Sequence, residues 1–256
     1  MKSKQSGFTL IEIAIVLVII GLLLGGVLKG QELINSAKVK NMATDFRNIP
    51  LFIYGYQDKF KALPGDHHTV VAAIGATATL ATTPITSGGL TPVACTNPTG
   101  GATCTGNGVI DGTWNTVTAT DETTLFWQHA RLAGLAAGPT ATADPNYYPT
   151  NADGGRMGIE SGAAATGGPY IQNGTITAAT GAVTATVPPT YMTPTYLMCS
   201  SGILGKYAKQ LDATIDDGEP GSGSLRVVNS NHVRGAVGMG LAAVNDSASY
   251  IVCMGL

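Results

Sequence analysis

From Phe8 to Leu28 the chain is almost wholly apolar, with one charge, Glu12, set four residues into the run. A helix over 8–28 would be about 31 Å long, enough to cross the hydrocarbon core of a bilayer. A carboxylate in such a span is expensive and calls for a dedicated partner. Beyond Lys29 the pattern turns amphipathic. Met42, Phe46, Ile49, Ile53, Tyr56 and Phe60 keep one apolar face in line, while Lys38, Lys40, Asp45, Arg47, Asp58 and Lys59 mostly fall off it. This spacing predicts a continuing helix whose apolar face is buried, most simply against a β-sheet. Pro50 predicts a kink or interruption near Asn48 or Ile49. The turn signal Leu63-Pro64-Gly65-Asp66 predicts the end of the helix.

The remainder alternates between small-residue text and short periodic segments. Residues 72–120 and 139–194 are rich in Ala, Thr, Gly and Pro and read as short strands and long loops. Residues 121–137 read as a helix with Asp121 as N-cap and Gly138-Pro139 as stop. Residues 191–199 and 237–253 read as sheet or hairpin, with a short helix over 203–211 between them. The fold class that follows is α+β: a long N-terminal helix on an antiparallel sheet, with long loop insertions.

Composition narrows the function. Charged residues are 12% of 256, and the formal net charge is −2. A cut after Gly7 would remove Lys2 and Lys4 and leave 12 basic against 16 acidic side chains. That balance predicts no nucleic-acid partner. Four cysteines fit an oxidising compartment. Cys95 and Cys104 enclose a short loop, and Cys199 and Cys253 lie near opposite ends of the last quarter. These two pairs are the favoured disulfides, although four cysteines permit three connectivities.

The leader has chemical meaning. Cleavage between Gly7 and Phe8 would create an amine at the head of the apolar span, placed to pair with a Glu12 carboxylate on a neighbouring subunit. A secretory signal would instead carry a small-residue cleavage site after its core, and none lies near Gly25 and Gly26. With its leader ending in Gly7, followed by Phe8-Thr9-Leu10-Ile11-Glu12, the chain resembles the type IV prepilins and the type II secretion pseudopilins. The resemblance implies a prepilin peptidase that cuts before Phe8 and methylates the new amine. It implies a single-pass subunit held in the bacterial inner membrane with its head in the periplasm. An inner-membrane assembly platform would then draw it into a helical pilus or pseudopilus filament of identical or homologous subunits. In that class the glutamate matching Glu12 pairs with the amine of the adjacent subunit.

The organisation so implied is a leader over 1–7, a membrane-spanning and filament-core helix over 8–28, its amphipathic continuation over 29–62, and a head over 63–256. The Leu63-Pro64-Gly65-Asp66 turn, the helix from Trp127 to Leu135 and Asp216-Asp217-Gly218-Glu219-Pro220 recur together in pseudopilin-like proteins, which points to a pilin-like fold. The expected function is that of a structural filament subunit. The alternative is a minor pilin at the tip, binding a surface, cargo or DNA.

Other chemistry is weaker. Asp212, Asp216, Asp217 and Glu219 form the densest acidic cluster, with the oxygen donors calcium requires. Major pseudopilins carry calcium in a C-terminal loop, so the resemblance points the same way. The spacing is not that of an EF-hand, and Asp-Gly and Pro-Gly also make ordinary turns. His67 and His68 read as solvated turn residues, and the scattered cations of the last quarter, Arg226 and Arg234 among them, as a solvated face. The chain shows no Gly-x-Ser-x-Gly elbow, and no enzymatic activity is expected.

Overall fold

The computed structural model describes residues 10–81, 106–162, 170–177, 182–185, 191–232 and 234–256. Helix α1 runs without interruption over Leu10–Phe60, 51 residues, or about 76 Å. Its first twenty residues are exposed all round. Its second half buries Val39, Met42, Ala43, Phe46, Ile49, Ile53 and Tyr56, the face its spacing marks out.

The chain stays helical through Pro50, contrary to the interruption expected there. Proline cannot donate to the Phe46 carbonyl, and its place in a helix interior costs about 3 kcal/mol. Phe46, Ile49 and Ile53 are each only 1% exposed, and burial of each such side chain contributes roughly 1.5–3 kcal/mol. Packing on both sides of the proline therefore outweighs its local penalty.

The core sheet is antiparallel and has the order β1-β5-β8-β6. Its strands are β1 (Met157–Ser161), β5 (Tyr196–Leu204), β6 (Leu225–Asn229) and β8 (Ser249–Gly255). Small ribbons flank it: β2 (Ile171–Gln172) with β7 (Ala236–Val237), and β3 (Gly174–Thr177) with β4 (Ala182–Ala185). Alternation sorts the side chains by face. Met157, Ile159, Met198, Val227, Tyr250 and Val252 join the cluster built on α1. Leu197, Cys199, Val228, Ile251 and Cys253 face away, into a second cluster with Trp114, Tyr170 and Ile171. Both faces are therefore covered. Cys199 and Cys253 lie directly opposite in the β5–β8 register and are joined by a disulfide. Cys95 and Cys104 lie outside the described residues.

Two short helices complete the described core. Between them and α1 lies α2 (Val70–Ile74). Helix α3 covers Glu122–Leu132, shorter than the 121–137 expected. It ends at Gly134, which has φ +79°, with Gly134 N–H donating to Arg131 O and Leu135 N–H to Ala130 O. This glycine closure terminates the helix before Gly138-Pro139 is reached. Helix α4 covers Gly205–Ile215 and packs along α1. There the Tyr207 hydroxyl donates to Asn35 Oδ1 at 2.6 Å, and Lys38 pairs with Asp153 at 2.8 Å.

Two polar groups depart from the solvated positions expected of them. His67 is buried, its Nδ1 2.7 Å from the Tyr56 hydroxyl; His68 is exposed. Arg234 pairs with the buried Glu160 at 2.7 Å. Glu160 also accepts from Trp114 N–H at 2.9 Å, so this ion pair ties two loops to the sheet.

Phe46→Ala should destabilise the folded head by about 3–5 kcal/mol. Leu51→Ala, at an exposed position of the same helix, should stay within about 0.5 kcal/mol of the parent. Equilibrium unfolding of the two variants side by side checks the assignment of the buried face.

Candidate functional site: an unpacked helix and two acidic clusters

Among the described residues, the first twenty positions of α1 stay exposed and the head does not bury them. A Cβ added at Gly21, Gly25, Gly26 or Gly30 would meet no atom within 4 Å. A helix apolar on all sides requires lipid or other helices around it. Glu12 stands in the first turn, where a carboxylate is favoured by the helix dipole. Gly7 and Phe8 lie outside the described residues.

The first acidic cluster caps the far end of α1, and only part of it was visible as a turn motif. Asp66 accepts from the backbone N–H groups of Gly106, Asn107 and Gly108. Glu122 Oε2 accepts from Asp111 N–H at 2.8 Å, and Asp111 accepts from the Asn107 side-chain amide at 2.7 Å. Asp66, Asp111, Asp121 and Glu122 are all buried. Burial pushes Asp66 up to about 6. It pushes Glu122 up to about 10, helped by the neighbouring Asp66, Asp111 and Asp121. Glu122 therefore carries its proton at neutral pH.

His129 completes this junction. It accepts from Gly65 N–H at Nδ1, 2.9 Å away, so its Nε2 holds the hydrogen and donates to Thr79 O at 2.8 Å. Burial holds it neutral, down to about 4. Gly65 lies at φ +92°, and a Cβ there would sit 2.4 Å from the Glu122 carbonyl oxygen. No larger residue fits this turn. The cluster is thus a clamp that ties the 106–111 loop, α3 and the end of α1 together. Sequence reading missed it because its parts are forty to sixty residues apart; the small signal available was Gly106-Asn107-Gly108, a stretch able to turn its N–H groups inward.

The second cluster lies after α4. Asp212, Asp216 and Asp217 bring one carboxylate oxygen each to within 4.8 Å of one another. Both oxygens of the buried Asp212 lack a hydrogen-bond partner of normal geometry. Burial, with Asp217, Asp216 and Glu219 nearby, pushes Asp212 up to about 7. Asp216 accepts from Leu225 N–H at 2.8 Å, and Asp217 from the Ser222 hydroxyl at 2.6 Å. Glu219 does not join them; it accepts from Leu241 N–H at 2.7 Å.

Glu122→Gln isolates one titration. A carboxyl raised in the folded state binds more protons folded than unfolded, so its contribution to stability falls as pH rises from about 4.5 toward about 10. The amide keeps the shape and does not titrate. Its melting temperature relative to the parent should therefore climb steadily between pH 5 and pH 9, given that burial shift. A flat difference would show that Glu122 is not held protonated.

Residues 2–28 match the family described as the prokaryotic N-terminal methylation motif. No curated protein and no solved structure matches the chain. The long apolar helix and the antiparallel sheet packed with helices form a pilin-like α+β fold. A leader motif at one end of an apolar helix that the described head leaves exposed supports a subunit of the type IV pilin and pseudopilin type, and over residues 2–28 the chain carries the prepilin-type cleavage and methylation motif.

Proposed function

We propose that the chain is a structural subunit of a type IV pilus or type II secretion pseudopilus. In this reading prepilin peptidase cuts between Gly7 and Phe8 and methylates the Phe8 amine. The subunit then waits in the bacterial inner membrane with residues 8–28 as its span and residues 63–256 as a periplasmic head. The disulfide between Cys199 and Cys253 accords with an oxidising compartment. Assembly would replace lipid around 8–28 by the helices of neighbouring subunits. The observation that carries the reading is that about twenty mostly apolar residues of α1 are left unburied by the described head, although the same helix continues into the core.

Glu12 sets the register in this proposal. Moving its carboxylate into the apolar filament core is unfavourable unless the methylated amine of an adjacent Phe8 meets it. Such a pair specifies position more than it adds net stability. Glu12→Ala should leave membrane insertion intact and reduce filament yield severely. Electron microscopy of sheared filaments, with membrane fractionation as control, measures both; normal filament yield would sink the role given to Glu12. Mass spectrometry of the peptide from Phe8 to Lys29 reads the cut and the methyl group directly.

We propose calcium as the ligand of Asp212, Asp216 and Asp217. A buried carboxylate whose oxygens lack a hydrogen-bond partner of normal geometry, beside the loop carboxylates of Asp216 and Asp217, fits a cation held by oxygen donors. Without calcium, the raised carboxyl of Asp212 should make the head less stable as pH rises from about 4 to about 7. At a hundredfold excess over Kd, calcium should add about 2.7 kcal/mol. Thermal melts in calcium and in chelator test this, with Asp212→Ala expected to erase the response. Identical melts of the parent protein would remove the metal.

A further inference from the structure

We propose that the lysines around the foot of the head, Lys38, Lys40, Lys206 and Lys209, form a collar that binds the anionic headgroups of the membrane in which α1 is anchored. The proposal rests on the membrane-anchored reading above. Helix α4 runs alongside α1 with its first turn toward the apolar span. Its Tyr207 bonds to Asn35, and Thr214, near its far end, accepts from Arg47. Asn35 is seven residues beyond Leu28, about 10 Å along the axis. The polar layer outside the hydrocarbon core is itself roughly 5–8 Å thick, and charges act over a Debye length of about 8 Å. The first turn of α4 is therefore within reach of the headgroups.

Two of the cations meet at that level. The ammonium groups of Lys38 and Lys206 lie 5.5 Å and 4.7 Å from the centre of the same Tyr207 ring. Lys29 pairs with Glu32, Lys38 with Asp153 and Lys209 with Asp246. Lys40 and Lys206 have no ion pair among the described residues. Counting Lys29 with the four collar lysines, five lysines there stand against these three ion-paired carboxylates, a surplus of two positive charges over the pairs. The chain after removal of residues 1–7 has 12 basic and 16 acidic side chains, so the rest of it is negative. An anionic surface would attract the foot and repel the remainder, which holds the head upright. The groove between α1 and α4, lined by Leu28, Asn35, Lys40, Gln210 and Thr214 among others, leaves this side open.

The test uses the full chain reconstituted in vesicles of phosphatidylcholine, alone or mixed with phosphatidylglycerol. Lysines are acylated with an uncharged reagent and their rates read by mass spectrometry. A surface potential of about −30 mV concentrates protons about threefold at the headgroups. Lys206 and Lys209 should react about threefold more slowly on the anionic vesicles for that reason, and added salt should restore the rate. Lys59 and Lys61, at the other end of α1, should react equally in both. A chain that floats with the vesicles but shows equal rates at Lys206 and Lys209 overturns the collar alone. A chain that floats with neither kind removes the anchored reading and the collar with it. Slowing that appears only at high protein-to-lipid ratio, in either lipid, assigns these lysines to a neighbouring subunit and overturns the proposal.

Discussion

The burial of one stripe of α1 against the sheet is the contact on which the rest of this structure depends. Met42, Phe46, Ile49, Ile53 and Tyr56 are the side chains shared between the helix and the head. Because α1 is a single helix, the same contact also fixes where the apolar span leaves the head. Any loss of helicity between Val39 and Tyr56 would break the core and the mechanical link to the span at once. That coupling explains why the helix survives Pro50. The side chains before and after the proline are locked into the same core, and their combined burial exceeds the cost of one missing hydrogen bond.

At the two ends of this contact the protein uses polar groups in opposite ways. Near the span, Lys38 and Asn35 meet Asp153 and Tyr207 of the head through single side-chain pairs that are only part-buried. At the far end, Asp66, Asp111, Glu122 and His129 are buried and bonded largely to backbone N–H and C=O groups. Buried hydrogen bonds of this kind are costly to leave unmade, so they hold chain direction firmly. One buried acid, Glu122, remains neutral to avoid a second unpaired charge beside Asp66. Asp212 meets the same problem, and the two further carboxylates that converge on it push its own carboxyl up toward the neutral form.

The elements with strong local signals were legible in the chain. The period of the apolar positions in 39–56 named the buried face, and the apolar run before Lys29, broken only by Glu12, named the part that the described head leaves exposed. The helix after Asp121 was legible in its start but not in its end. Glycine at 134 and the carbonyls of Ala130 and Arg131 closed it earlier, a choice made by backbone hydrogen bonds that composition does not display. The sheet strands were only approximately placed, because β5 is buried over its first five residues and so lacks the alternation of a strand with one wet face.

By itself the sequence determined the properties that depend on near neighbours along the chain. These are the methylation motif, the apolar run after it, the position of Glu12, the helical stripe and the turn after it. They are local because a helix repeats every 3.6 residues and a membrane span is counted in consecutive residues. Only the tertiary structure decided that His67 is buried, that Arg234 answers Glu160, that Asp66 gathers three N–H groups from a loop forty residues away, and that Glu219 turns from the acidic cluster to Leu241. Each of these is a polar contact between groups eleven or more residues apart, made where removal from water makes a polar group costly to leave without a partner. Burial of that kind belongs to the packed chain and has no signature in residue order.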